Sequence, residues 1–204
     1  MNTKERWNLV YQTKAPDDVS WFQARPVNSL KLINASGVSK TAAIIDVGGG
    51  TSLLVDSLLD DGFTNVAVLD ISTVALAHAK LRLGARASAV EWWESDVTTF
   101  DAAGRFGLWH DRAVFHFLTD ETSRRQYVES LRRALTPGAH VIIATFAIGG
   151  PLTCSGLDVV RYDAPAICSE FGAEFQLLEQ TDETHHTPWK TEQKFSYFRF
   201  RRAA

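Results

Sequence analysis

The stretch that decides the fold is Ile44-Ile45-Asp46-Val47-Gly48-Gly49-Gly50-Thr51-Ser52. An apolar, β-prone run enters it, and three consecutive glycines turn it. Leu53, Leu54, Leu58 and Leu59 then recur at helical spacing. A buried strand that feeds a helix through a glycine turn is the opening half-unit of a nucleotide-binding α/β sheet. Glycine admits positive φ there, and it lets a ligand lie against backbone where a Cβ would collide.

Spacing narrows the ligand. The dinucleotide fingerprint requires G-x-G-x-x-G; Gly48 and Gly50 fit, but Leu53 stands at the third position. The phosphate loop G-x-x-x-x-G-K-[ST] is absent as well. What remains is an acid two residues ahead of the first glycine, Asp46-x-Gly48-x-Gly50.

Composition sets outer bounds. At 204 residues the chain suits one domain with a single large core. A formal net charge of −3 gives no overall basic field for nucleic acid or anionic lipid. Two cysteines, Cys154 and Cys168, make neither a zinc cluster nor a disulfide scaffold. No apolar run approaches the roughly 20 residues of a membrane helix, and the first residues lack an apolar signal core. The expectation is a cytoplasmic protein with no metal and no membrane or nucleic-acid partner.

Outward from the glycines, strands and helices alternate. Ala42–Val47 reads as a strand, Ser52–Leu59 as a helix and Val66–Asp70 as a second strand ending in an acid. Ser72 caps a helix running to Leu83, with Gly84 as its stop. Ala89–Trp92 and Gly107–His110 read as strands three and four. Thr119 or Asp120 caps a helix reaching Leu135, and His140–Phe146 is strand five. This order predicts an α/β fold: one Rossmann-like doubly wound sheet, mostly parallel, with helices on both faces. The tail predicts a helix over Asp163–Phe171, a strand over Phe175–Glu179 and an alternating strand over 195–200. The polar segment between the last two has turn formers and no helical period, which suits an antiparallel last strand. Ahead of the sheet lie an amphipathic stretch, Glu5–Thr13, an aromatic one, Val19–Phe22, and a helix over Asn28–Asn34. The expected division of the single domain is a helical cap over 1–40, a core over 41–146, and a loop with antiparallel strands over 147–204.

Asp46-x-Gly48-x-Gly50, then Asp70, then Ser95-Asp96-Val97, fall at the ends of consecutive strands, where ligands of open α/β sheets bind. With the Leu131–Gly138 helix end, this set resembles the class I S-adenosylmethionine (SAM)-dependent methyltransferases over residues 42–146. Ser52 departs from the third glycine of their first motif, and Ala139 from a second glycine after Gly138. The resemblance implies SAM as cofactor. It implies close backbone approach at Gly48, Gly49 and Gly50, ribose recognition by Asp70, and adenine contacts from Ile71, Ser95, Asp96 and Val97. Asp46 is implied as structural or near the methionine end, and His110 lies beside the expected methyl position. The N-terminal stretch resembles the segment that folds over SAM in small-molecule and some protein methyltransferases, which implies that Tyr11 and Trp21 close the pocket.

Methyl transfer from a sulfonium is an in-line displacement in which the enzyme aligns the nucleophile and excludes water, with a base to take a proton where needed. His110 and Asp111, at the end of strand four, are the candidate catalytic pair. Cys154, Arg161 and His116 are candidate acceptor-side residues, and the glycine-rich loop from Gly149 to Gly156 is a candidate gate. The [D/N]-P-P-[YF] motif of nucleobase and glutamine amine methylation is replaced here by His110-Asp111-Arg112-Ala113. No aromatic-interleaved basic stripe is present. The expected function is methyl transfer to a small-molecule N, O or S nucleophile by a monomer or homodimer. The alternatives are a protein lysine methyltransferase, a non-catalytic SAM-binding regulator and, more distantly, a dinucleotide oxidoreductase.

Overall fold

A computed structural model describes residues 2–204. The chain runs α1 (Thr3–Thr13), α2 (Val27–Ala35), β1 (Ile44–Val47), α3 (Leu54–Asp60), β2 (Val66–Asp70), α4 (Thr73–Leu83), β3 (Val90–Glu94), β4 (Phe106–Arg112), α5 (Glu121–Ala134) and β5 (Leu135–Phe146). A small hairpin, β6 (Thr153–Cys154) and β7 (Leu157–Asp158), precedes α6 (Ala164–Phe171), β8 (Phe175–His186) and β9 (Glu192–Arg202).

Seven strands form one sheet in the order β3-β2-β1-β4-β5-β9-β8. The first five are mutually parallel, and β9 runs antiparallel between β5 and β8. Every residue of β1 and β2 is buried, as expected of central strands covered on both faces. Leu32, Ile33, Leu54, Leu58 and Leu76, from α2, α3 and α4, cover one face; Tyr127, Leu131 and Phe171, from α5 and α6, cover the other. On β9, Phe195 and Tyr197 enter the first of these clusters and Phe198 and Phe200 the second, so the strand's period of two supplies both cores. Four helices start on side-chain caps: Asn2 Oδ1 accepts from the Glu5 amide at 2.9 Å, Ser72 Oγ from Ala75 at 3.1 Å, Asp120 Oδ1 from Ser123 at 2.9 Å, and Asp163 Oδ1 from Ala166 at 3.0 Å.

The mostly parallel sheet and its antiparallel last strand agree with the sequence reading. Two boundaries differ. Leu135 to Gly138 belong to β5 rather than to a helix end: Leu135 pairs with Phe106, and the ladder shifts register before Leu108 meets His140. The polar segment after Glu179 is strand, not loop. β8 continues to His186 and pairs residue by residue with β9, leaving only a short turn. As the edge strand it has mostly exposed or half-buried polar residues, which mask the apolar signal of a strand.

Phe200 is fully buried and stacks on Phe171, with ring centroids 5.1 Å apart and planes 4° from parallel. Phe200→Ala is expected to lower unfolding free energy by about 3–5 kcal/mol. Urea denaturation followed by tryptophan fluorescence measures this, and a loss below about 1 kcal/mol contradicts the packing described.

Candidate functional site

The glycine turn brings three strand ends together. Gly48 and Gly50 have φ of +64° and +42°. A Cβ on Gly48 would sit 2.0 Å from Val114 Cγ2, after β4. One on Gly49 would sit 2.7 Å from Asp46 Oδ2 and 2.8 Å from Val68 Cγ1; one on Gly50 would sit 2.8 Å from Asp70 Oδ2 and 3.1 Å from the Tyr11 hydroxyl. No larger residue fits, so backbone alone forms the floor here.

Above this floor lies a cavity of about 360 Å³. Asp70, Ile71, Ser95, Asp96 and Val97 line one end; Trp7, Tyr11, Trp21, Phe117, Cys154 and Arg112 line the other. A smaller cavity of about 40 Å³ continues under the N-terminal segment, lined by Ser29, Asp46, Gly48, Gly49, His110 and Arg112. Tyr11, Trp21, Val47, Gly48 and Arg112 face both.

Asp70 ends β2, and its Oδ1 accepts from the Ser72 amide at 2.7 Å. Burial pushes its carboxyl up to about 7 against the pull of backbone donors at Ser72, Gly50 and Ile71, and the Asp46 charge adds to the rise. Asp96 is exposed, and its Oδ1 accepts from the Thr98 amide at 2.9 Å and the Thr98 hydroxyl at 2.7 Å. Asp46 is buried: Oδ1 accepts from His110 Nδ1 at 2.7 Å, while Oδ2 has no partner. His110 Nε2 is bonded to Ser29 Oγ at 2.8 Å, so both ring nitrogens are engaged.

The N-terminal segment forms the roof. Trp7 packs edge-on to Trp21 at 5.9 Å and to Phe117 at 5.2 Å, and Tyr11 packs edge-on to Trp21 at 6.2 Å. Lys4 on α1 pairs with Glu94 on β3, and four hydrogen bonds tie residues 18 to 23 of this roof to β4, β8 and the turn after β8. Trp189 Nε1 donates to Asp18 at 2.9 Å, His185 Nε2 to the Ser20 carbonyl at 2.8 Å, Arg112 Nη1 to the Trp21 carbonyl at 3.0 Å, and Gln23 Nε2 to Glu183 at 2.8 Å. At the hairpin, Arg6 Nη2 donates to the Ser155 carbonyl at 2.7 Å.

The expected site residues separate into those that face the cavities and those that do not. Tyr11, Trp21, Asp46, Gly48, Gly49, Asp70, Ile71, Ser95, Asp96, Val97, His110 and Cys154 line them, whereas Gly50 lines neither and lies packed against Asp70 and Tyr11. Asp111 does not. It turns to the opposite sheet face, where its carboxylate accepts from the Val114 amide at 2.8 Å, the Phe115 amide at 3.0 Å and the Tyr127 hydroxyl at 2.6 Å. Burial raises its carboxyl to about 6 despite these donors. The expected His110–Asp111 pair is thus split by strand parity. His116 is buried between the rings of Phe117 and Phe146, and its Nδ1 accepts from the Phe146 amide at 3.3 Å. Burial and the Arg112 charge hold its imidazole down at about 3, so it is neutral. Arg161 Nη1 donates to the Gly150 carbonyl at 3.2 Å, outside both linings. Ser29 and Arg112 line the site but were not singled out in the sequence. Alternation along β4 puts Arg112 on the face of His110, and that parity was the available signal.

Asp111 fixes the turn that carries Val114 and Phe117 into the cavity wall, and Tyr127 relays it to Trp109, whose Nε1 donates to the Tyr127 hydroxyl at 2.9 Å. Tyr127→Phe removes one donor from a buried carboxylate and strands the Trp109 N–H. A destabilisation of about 1–3 kcal/mol is expected. Chemical denaturation measures it, and an unchanged midpoint contradicts the role given to Asp111.

A family model described as a methyltransferase domain matches residues 44–138. The "2-heptyl-1-hydroxyquinolin-4(1H)-one methyltransferase" of Mycobacteroides abscessus is 30% identical over 152 residues, covering 71% of this chain and 65% of that one. The "EEF1A lysine methyltransferase 2" of Danio rerio is 25% identical over 161 residues, covering 71% and 69%. This chain therefore spans about two thirds of the length of each relative. The N-methyltransferase NodS of Bradyrhizobium japonicum WM9, in complex with S-adenosyl-L-homocysteine (SAH), superposes with a TM-score of 0.73 at 18% identity over 97% of this chain and 98% of that one. Residues 44–138 thus form a methyltransferase domain on the fold of the SAM-dependent methyltransferases, with SAM as cofactor.

Proposed function

We propose that the chain transfers the SAM methyl group to a small, flat acceptor held under the N-terminal roof. The observation that carries this reading is the aromatic cluster of Trp7, Tyr11, Trp21 and Phe117 on the wall of the large cavity, in which Trp7–Trp21, Trp7–Phe117 and Tyr11–Trp21 meet edge-on. Aromatic walls that meet edge-on suit a planar ring system. The relative named for a hydroxyquinolone acceptor supports the same class.

In this assignment the adenosine lies at the Asp70 end. Asp70 accepts from the ribose hydroxyls, Ile71 and Val97 cover the adenine, and Ser95 and Asp96 meet its polar edge. Backbone at Gly48, Gly49 and Gly50 underlies the cofactor, and Asp46, held by His110 and Ser29, faces its methionine end. Tyr11 and Trp21 shut the pocket, and Cys154 is part of the acceptor wall. Bound SAM supplies an electrophilic methyl on sulfur; the chain's residues orient it, place the acceptor in line and exclude water. Asp111 acts as a positioning residue beneath the wall, and His110 holds Asp46 rather than taking a proton. The chain is read as a single domain of cap (1–40), core (41–146) and acceptor-side tail (147–204), acting on a free small molecule without nucleic acid or membrane, as a monomer or homodimer. Among the described residues no helix is long and apolar enough to cross a membrane.

Ribose hydroxyls donate to an ionised carboxylate, and burial pushes the Asp70 carboxyl up to about 7. Cofactor binding therefore strengthens as pH rises through that value and weakens as pH falls below it. Calorimetry with SAH is expected to show affinity about tenfold weaker at pH 6 than at pH 8. Asp70→Asn is expected to bind SAH more weakly at both values and to lose most of that pH slope. Wild-type affinity in the variant contradicts the ribose assignment.

A further inference from the structure

Helix α1 crosses the carboxyl ends of three strands, and one stripe of it meets them in the order they hold in the sheet. Lys4 pairs with Glu94, the last residue of β3. Asn8 reaches Ser72, two residues past the end of β2. The Tyr11 hydroxyl, 3.1 Å from where a Cβ of Gly50 would lie, comes down after β1. Steps of four and three residues place these side chains on one side of a helix. The Lys4 and Glu94 side chains are 48% and 40% exposed, and an ion pair so open to water holds little. The Asn8 contact is different, because it enters a buried loop that carries a site residue.

Ser72 is fully buried, and each of its polar groups is used. Its amide donates to Asp70 Oδ1 at 2.7 Å, and its carbonyl accepts from the Leu76 amide at 3.2 Å. Its Oγ accepts from the Ala75 amide at 3.1 Å, which caps α4. The hydroxyl proton goes to Asn8 Oδ1 at 2.8 Å, and the Val74 amide approaches the same oxygen at 3.5 Å. The direction follows from the groups themselves: a backbone N–H only donates, and a side-chain carbonyl only accepts. Asn8 Oδ1 is the one acceptor that the Ser72 hydroxyl meets among the described residues. A single side chain of α1 thus completes the cap of α4 and closes a chain that runs from Asn8 through Ser72 to Asp70. Without Asn8, the buried hydroxyl is left unpaired or the loop shifts to pair it. In either case the amide on Asp70 loses its fixed place.

We propose that Asn8 is a positioning residue for the cofactor: it fixes Ser72, and Ser72 fixes the carboxylate of Asp70 in the orientation that receives the ribose hydroxyls. This rests on the ribose assignment above. A carboxylate ordered before the ligand arrives loses less freedom on binding, and that is what the chain contributes. α1 also carries Trp7 and Tyr11 into the cavity lining, so the element that orients the ribose acid also builds part of the aromatic wall.

A double-mutant cycle on SAH affinity, read by calorimetry at pH 8, separates orientation of Asp70 from simple docking of α1. Asn8→Ala and Ser72→Ala are each expected to weaken SAH about five- to tenfold. In the Asp70→Asn background neither is expected to weaken it further by more than about twofold, because the carboxylate they orient is gone. Lys4→Ala removes a contact of the same helix away from Asp70, and it is expected to stay within about twofold of wild type.

Equal losses with and without the Asp70 carboxylate give Asn8 a docking role only and overturn the proposal. A Lys4→Ala loss as large as that of Asn8→Ala does the same. Wild-type affinity in Asn8→Ala, with Asp70→Asn weakened, overturns the proposal and leaves the ribose assignment standing. Wild-type affinity in Asp70→Asn sinks both. Should thermal unfolding show that Asn8→Ala unseats α1, Ser72→Ala breaks the same bond from the α4 side and decides by the same cycle.

Discussion

Three absent Cβ atoms hold this site open. At Gly48, Gly49 and Gly50 the ends of β1, β2 and β4 and the hydroxyl of Tyr11 converge to distances that any side chain would block. The turn lets two buried carboxylates, Asp46 and Asp70, stand on either side of one backbone surface. Both are costly to bury, and the fold compensates differently in each case. Asp46 leans on the His110–Ser29 chain, whereas Asp70 is held by backbone amides and keeps a raised proton affinity until a ligand supplies more donors. The polarity of the cavity is therefore organised around what it receives.

The roof depends on the opposite edge of the molecule. Residues 18 to 23 are tied to Trp189, His185, Arg112 and Glu183, three of which lie on β8 or the turn that follows it. The antiparallel edge, on the far side of the sheet from β2 and Asp70, thus anchors residues 18 to 23 of the roof. Arg112 joins the two systems, since it holds the roof by Nη1 and lines both cavities.

Much of this was legible in the sequence, because the parts that matter for the cofactor are local. A buried run, three glycines and an acid two residues earlier specify a turn; a capping Ser72 after Asp70 specifies the next. Each signal spans a few residues and needs no partner to be read. The rest depends on pairing. β8 is polar and alternating because it is an edge strand, and only its ladder with β9 identifies it. The His110–Asp111 dipeptide looks like one catalytic unit until the strand's period of two is applied, which sends His110 to Asp46 and Asp111 to Tyr127. Arg112 was hidden in the same dipeptide's shadow, for its link between roof and sheet is visible only once Tyr197 and Trp21 have taken their places around it.

The most direct test of this account is a crystal structure of the SAH complex. The ribose hydroxyls should lie within hydrogen-bond distance of Asp70, with the adenine between Ile71 and Val97 and the sulfur directed at the aromatic chamber of Trp7, Trp21 and Phe117. SAH bound with its ribose away from Asp70, or with its sulfur turned away from that chamber, would contradict it.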